Sequence, residues 1–390
     1  MEKSIRVTNY LHKITDEIGS RRAGTRACKD TEEFIRSVFL ECGYEIDFFA
    51  IPIVSWEADR AEVIYDNQVI SGIGNIYSPS GNVEGEVIVL RNIYELEKAD
   101  IRGKVCIFTD KLTEAVLCLG DSPFQSSKDA EVQEILDDMV PAAVISINPK
   151  VNSLLPYIEN YTEVPSLTVS KAMEQEILKL EHKQVQVKVS SFSEDSVTGN
   201  VIAKTKNAKE KIVISAHYDS AEGSPGAWDN ASGVVALLEL AKRFQNKDLN
   251  VQIEFAAMCP HEIGYPGSVT YTNTEQAELE KVLLNINIDG IGAVSGIDTI
   301  TSDNLPNWMY RFIQKILLKY EEITEDGAIK VEGDHFAYTW NNIPSMVFTS
   351  TGNVNMHHEN IDSLCTVDTD KILRVVDFIE ELIGEISAAI

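Results

Sequence analysis

Histidines and carboxylates recur where apolar runs end in the second half of this chain. His217 and Asp219 follow the run 212–216, Asp229 and Asn230 sit in the Gly- and Pro-rich stretch behind it, and His261 with Glu262 follows 251–260. Asp289 closes 282–289, and His357 and His358 lie beyond the run 344–349. Neutral imidazole and carboxylate are the ligands zinc takes where it is catalytic. With Asp229 the set is large enough for two ions sharing one carboxylate, and two ions about 3.5–4 Å apart can hold a hydroxide and polarise a carbonyl together. Singly, each residue is more often a surface side chain, a satisfied core group or a cap, as Asp-Asn ahead of a helix commonly is. Recurrence at successive strand ends is what points to a metal site.

Those residues need a scaffold of alternating strands and helices. An apolar strand over 212–216 runs into a polar loop and then a helix with Val234, Leu237, Leu238, Ala241 and Phe244 on one face. A strand that ends in such a loop ahead of a helix is where open α/β sheets place their chemistry. Further strands are expected at 251–258, 282–289 and 344–349, with a helix over 307–320. A long terminal helix carries Ile372, Val375, Val376, Ile379, Leu382, Ile383 and Ile386 at helical spacing. Near the start, Val7, Tyr10, Leu11, Ile14 and Ile18 share one face, and a second helix with Phe34, Ile35, Val38 and Phe39 stops at Gly43. From about 56 to 191 the texture changes to short strands at 61–65, 85–90, 104–108, 142–147, 165–169 and 185–189, with modest helices near 129–139 and 171–180. None of these strands leads into a cluster of His and carboxylates. The expected organisation is an α/β domain of residues 1–54 and 195–390, interrupted by a β-rich insertion over 55–194.

Lys and Arg number 34 against 61 Asp and Glu, a net charge of −27. That argues against nucleic acid as a partner, since phosphate binding needs a basic face. The first residues lack the apolar core of a signal peptide. No run of about 18 apolar residues suggests a membrane span. The cysteines are scattered without CxxC spacing, which fits reduced thiols and a cytoplasmic location.

The stretches AHYDS, GAWDNASG, HEIGYPGS, NINIDGIG and HHENIDSLCTVD resemble, in order and spacing, the di-zinc aminopeptidase family that includes aminopeptidase Y and bacterial leucyl aminopeptidases. The same superfamily holds glutamate carboxypeptidase and glutaminyl cyclase. GSRRAGT resembles the family's N-terminal loop. DIRGKVCIF, PAAVISI and VPSLTVS resemble the protease-associated domain that many members carry. The resemblance implies a mixed-sheet zinc-exopeptidase fold with helices on both faces, interrupted by a mostly β protease-associated domain. It implies two divalent ions, as zinc, with His217, Asp229 and Asp289 around one and Asp229, Glu262 and His358 around the other. His358 is preferred to His357 because Asp362 lies four residues on and Val367-Asp368 closes the motif. Asp219 would orient the His217 ring, and Asp334-His335-Phe336 resembles the substrate-side stretch before the last strand. The implied activity is hydrolysis of N-terminal residues of peptides or aminoacyl compounds through a hydroxide bridging the ions. The inserted domain would either shape substrate access or mediate self-association into a homo-oligomer.

One departure matters. Where the family has two adjacent glutamates, the first a general base and the second a ligand, this chain has His261-Glu262. Three readings stay open. A neutral imidazole, kept unprotonated by nearby positive charge, could accept the proton of the bridging water. His261 could instead contact a metal or the substrate, with altered chemistry. Or the protein could bind metal with little hydrolase activity, as nicastrin and the transferrin receptor keep the scaffold without catalysis. Another reaction on the same scaffold, such as deacylation or glutaminyl cyclisation, is a further alternative. His357 stands where the family often has an aromatic residue that stabilises the tetrahedral intermediate. An imidazole N–H could do the same, and a plain surface histidine is the other reading.

Overall fold

The computed structural model describes residues 2–120, 122, 125–151, 153, 155–327, 332–352 and 355–390. Strand Lys211–His217 is buried along its whole length because it has parallel neighbours on both sides, Gln252–Met258 and Val282–Ile288. A parallel strand with both faces covered reads as a continuous apolar run rather than an alternation, and IVISA is such a run. Its one charged residue, Lys211, is buried at the strand's start and donates to Glu254 at 3.1 and 3.2 Å. The Tyr271 hydroxyl donates to the same carboxylate, so a buried charge pair is closed by a third polar group.

This strand belongs to a unit formed by Met1–Ile53 and Val197–Ile390. Strand Ser345–Ser350 continues the parallel set beyond Val282–Ile288. Asp298–Asp303 then pairs antiparallel with Ser345–Ser350 and parallel with Ile323–Glu325. On the other side, 201–204 pairs antiparallel with Gln252–Met258. The sheet is mixed, with a parallel centre. Alternate residues of its strands face two cores. One contains Ile212, Ile214, Phe255, Ile286 and Phe348 beneath Val7, Leu11, Ile35, Leu237, Ile313 and Ile379 of the helices. The other contains Ile202, Val213, Ala256 and Met258 with Tyr271, Ala337 and Tyr338. Helices therefore cover both faces, as expected from the resemblance.

The sequence reading placed the central strands and long helices and passed over the edge. Asp298–Asp303 carries Thr, Ser and Asp, and Ile323–Glu325 is a three-residue strand. Neither has a hydrophobic period strong enough to announce it. Helices Pro266–Thr274 and Phe336–Thr339 were passed over for the same reason.

Residues Val54–Ser196 form the other unit. Strands dominate it, and its centre is parallel: Gly81–Leu90, Val105–Phe108, Ala143–Ile147 and Ser166–Val169 pair in that order. Parallel pairs need crossover connections, and helices Ile93–Lys98 and Ser127–Met139 lie in two of them. Strand Gln68–Gly74, absent from the sequence reading, forms a hairpin with 61–65. Its two turn residues, Asp66 and Asn67, have φ of 48° and 61°, the left-handed pair that a tight hairpin turn requires.

Helix Ser232–Phe244 packs on the sheet through Gly233 at its start. A Cβ there would lie 2.4 Å from both the Ile288 carbonyl oxygen and Asn230 Oδ1, so only glycine lets this helix approach strand Val282–Ile288. Gly233→Ala is expected to lose about 1–3 kcal/mol, the usual cost of overpacking, in urea unfolding of the full chain. A change within about 0.5 kcal/mol, ordinary for a surface substitution, would show that the close approach is not required.

Candidate metal centre

The central strand order places Lys211–His217 between Gln252–Met258 and Val282–Ile288, so the connection leaving Lys211–His217 runs to one side of the sheet and the connection leaving Val282–Ile288 runs to the other. Such a switch point opens a crevice at the carboxyl ends of the strands. His217 is the last residue of its strand, Asp289 follows Ile288, and His261 and Glu262 follow the strand ending at Met258. His217 Nε2 lies 3.1 Å from Asp229 Oδ1 and 3.5 Å from Asp289 Oδ1. The other oxygen of Asp229 faces different imidazoles, with His357 Nε2 at 2.9 Å and His358 Nε2 at 3.5 Å. His358 Nε2 also lies 2.9 Å from Glu262 Oε2. The structure thus brings together the seven side chains His217, Asp229, Glu262, Asp289, His261, His357 and His358.

Several of these are held by groups outside the cluster. Asp229 lies in a turn whose Trp228 and Asp229 N–H groups donate to the Asp362 carboxylate at 2.8 and 3.0 Å. The Asn230 side chain donates to the Ile288 carbonyl at 2.8 Å and accepts from the N–H of Gly233 and Gly290 at 2.9 and 3.1 Å. It therefore caps the helix and ties the Asp229 turn to the Asp289 strand. Asp219 is fully buried. Its carboxylate accepts the N–H of His261 at 2.9 Å and of Glu262 at 3.2 Å, while its carbonyl oxygen lies 3.2 Å from His217 Nδ1. A carbonyl only accepts, so the proton belongs on Nδ1 and Nε2 is the nitrogen turned to the carboxylates.

Asp334 accepts from His261 Nδ1 at 2.9 Å. His335 is buried, stacked on Phe336 at 5.0 Å between centroids. Both it and Asp289 lie close to the backbone of Gly333, whose added Cβ would sit 3.2 Å from His335 Nδ1 and 3.5 Å from Asp289 Oδ2. His357 was read as a substrate-side group; the structure sets it on Asp229 itself, stacked on His358 at 3.7 Å and edge-on to Trp228. Arg21 was not singled out from the sequence. It is buried, donates to the carbonyls of Tyr218, Pro225 and Gly226, and fixes the loop between His217 and Asp229. The adjacent arginines of GSRRAGT were the available signal, and nothing local distinguishes a buried arginine from an exposed one.

Charges in the centre are strongly coupled. Burial opposes the charged form of His217, but the carboxylates of Asp219, Asp229 and Asp289 overcome it and hold the imidazole well above its usual value. Burial would raise Asp229, and His217 with His357 instead holds it well below the carboxylate range. For Asp362, burial dominates and pushes the carboxyl up despite its two N–H donors. The donor set fits divalent ions. His217 Nε2 and Glu262 Oε1 are buried with no hydrogen-bond partner among the described residues, although carboxylates and imidazoles surround them. Ligand atoms of His217, Asp229 and Glu262, of His217, His261 and Asp289, and of Asp229, His357 and His358 each fall within 4.8 Å of one another.

Residues 200–383 match the family model described as Peptidase family M28. Leucine aminopeptidase 2 of Trichophyton rubrum is 39% identical over 112 residues, which is 28% of this chain and 23% of that protein. The chain thus spans under a quarter of that relative's length. Aminopeptidase YwaD of Bacillus subtilis is 26% identical over 380 residues, covering 90% of this chain and 73% of that one. Among solved structures, a zinc aminopeptidase from Bacillus subtilis superposes with a TM-score of 0.79 at 20% identity, covering 98% and 95% of the two chains. That likeness establishes the fold.

The charge state sets a pH dependence. In the ion-free protein His217 is raised, so its contribution to stability is complete below the unfolded value of about 6.5 and fades as pH rises through the higher folded value. An ion must displace that proton, so zinc affinity is expected to climb with pH, roughly tenfold per unit for each proton released. Calorimetric titration in buffers of different ionisation enthalpy counts those protons. Affinity and heat independent of pH and buffer would refute a protonated His217.

Proposed function

We propose, on the match of residues 200–383 to the model of Peptidase family M28, that this chain is a metal-dependent aminopeptidase built on two zinc ions. The observation that carries the reading is the placement of Asp229, whose Oδ1 faces His217 and whose Oδ2 faces His357 and His358. A carboxylate presenting each oxygen to a different ligand group is what a shared, bridging ligand requires. His217 and Asp289 would hold one ion with Asp229, and Glu262 and His358 the other. Ions bound there would polarise the scissile carbonyl and activate water. The aminopeptidase names of the relatives support the choice of substrate class.

The chain's own residues have separable tasks. Asp219 orients His217 through Nδ1 and holds the His261-Glu262 backbone. Asp362 holds the Asp229 turn. His357 has a side chain 49% exposed beside Asp229, where an N–H can reach an oxyanion as charge develops. The carboxylates around the centre would hold a substrate's free α-amino group. The inserted unit is read as a protease-associated domain on the motifs quoted above.

A second reading is metal binding with little turnover, and one observation favours it. A glutamate that accepts a proton becomes neutral, whereas His261 would become a cation beside two dications, which electrostatics opposes. Hydrolysis of aminoacyl-4-nitroanilides and short peptides separates the two. Chelation is expected to abolish turnover and zinc to restore it. Asp229→Ala should lower kcat/KM about 1000-fold or more, since carbonyl polarisation is worth several kcal/mol. A zinc-loaded chain that turns over nothing in a broad peptide panel would sink the peptidase reading.

A further inference from the structure

We infer that His261 is a metal ligand in this chain, joining His217, Asp229 and Asp289 around one ion, with Asp334 as the residue that positions its ring. The inference rests on the metal centre proposed above and goes beyond it. It gives the residue at the proton-relay position a bond to the ion instead.

Three observations carry it. The first is placement. A ring nitrogen of His261 lies within 4.8 Å of the ligand atoms of His217 and Asp289, and its ring lies flat on that of His217, with centroids 3.7 Å apart and planes at 7°. An imidazole lone pair lies in its ring plane, so one of the two stacked rings must turn out of the stack before both nitrogens can reach an ion at zinc–nitrogen distances of about 2.0–2.1 Å.

The second is orientation. Ligating imidazoles almost always donate their other ring N–H to a carboxylate or carbonyl, which fixes tautomer and ring plane. His217 does so through Asp219 at 3.2 Å, and His261 does so through Asp334 at 2.9 Å. The Asp334 side chain is wholly buried, so its carboxylate is tied to this ring rather than to solvent.

The third is access. His261 is only 8% exposed, and Tyr265 packs edge-on against it at 4.7 Å while His217 covers a face. A proton carrier must offer a nitrogen to water and to the leaving amine. This ring has little surface to offer to either.

The consequence is asymmetry between the two ions. His217, His261, Asp229 and Asp289 would complete a four-ligand set, the closed arrangement of tightly held zinc. The ion on Asp229, Glu262 and His358 keeps an open position. One ion should bind tightly and the other exchange more readily.

Zinc affinities of the full chain, measured by competition with chromophoric chelators, test this. In His261→Ala the tighter ion should weaken about 100-fold or more, and in Asp334→Asn about 10–100-fold, the usual range for losing a group that holds a ligand. The second ion should change little in either. With cobalt in place of zinc, the intense visible bands of a four-coordinate ion should be lost in His261→Ala. His261→Gln serves if the alanine variant is poorly folded, judged by circular dichroism of the ion-free proteins. Wild-type affinities for both ions in the His261 variants would overturn the inference, whatever happens to turnover. Weakened zinc binding in them, in a protein that hydrolyses no peptide, would leave the inference standing and remove only the peptidase reading.

Discussion

Asp229 presents its two oxygens to different imidazoles, and much of the unit formed by Met1–Ile53 and Val197–Ile390 reads as the means of holding it there. The difficulty is electrostatic. Asp219, Asp229, Glu262 and Asp289 gather in one partly enclosed place, and buried like charges raise one another's energy. The chain answers with donors. Asp219 receives two backbone N–H groups, Asp362 receives two more from the Asp229 turn, and the Arg21 guanidinium is buried nearby with Asp362, Asp219, Asp229 and Glu262 in its field. Imidazoles supply the remaining positive charge when no ion is bound, which is why His217 is held up and Asp229 held down.

Holding charges apart at a few ångströms also demands a rigid frame. The central strand is buried on both faces and flanked by parallel neighbours, so its end cannot drift relative to theirs. Asn230 then converts strand spacing into ligand spacing, because its one side chain bonds to the Ile288 carbonyl, the Gly290 N–H and the start of the helix behind Asp229. Gly233 is the steric half of the same joint, since any side chain there would push the helix off strand Val282–Ile288. Packing and polar contacts thus fix the same distance, that between Asp229 and Asp289.

What could be read in the sequence divides along physical lines. Fully buried strands and amphipathic helices declare themselves by hydrophobic pattern, and ligand-type residues at strand ends stand out against apolar runs. Hence the central strands and the cluster of His and carboxylates were legible. Partners far apart in the chain were not. His261 and Asp334 are separated by 73 residues, and Arg21 reaches carbonyls about 200 positions away. Polar strands such as Asp298–Asp303, next to the end of the sheet, escape for another reason, because their residues are held by backbone pairing on both sides and carry no period. The hairpin at Asp66-Asn67 was the one local signal passed over, since paired left-handed residues of this type are themselves a turn mark.

The exchange of glutamate for histidine beside Glu262 gains a simple account when Asp334 is counted with it. A glutamate at position 261 would bring one negative charge to the centre, and an imidazole alone brings none. With its N–H on a buried carboxylate, however, His261 comes to the centre already paired with the negative charge of Asp334. Imidazole is the softer donor and is suited to zinc, whereas carboxylate suits harder ions as well. With His261 as a ligand, as inferred above, the centre would hold zinc more firmly and more selectively, and position 261 would lack the charge-neutralising proton acceptor that a glutamate supplies. Any hydrolysis this chain performs would then lean on the ion that Asp229, Glu262 and His358 would hold, where a position stays open, and on His357 beside it.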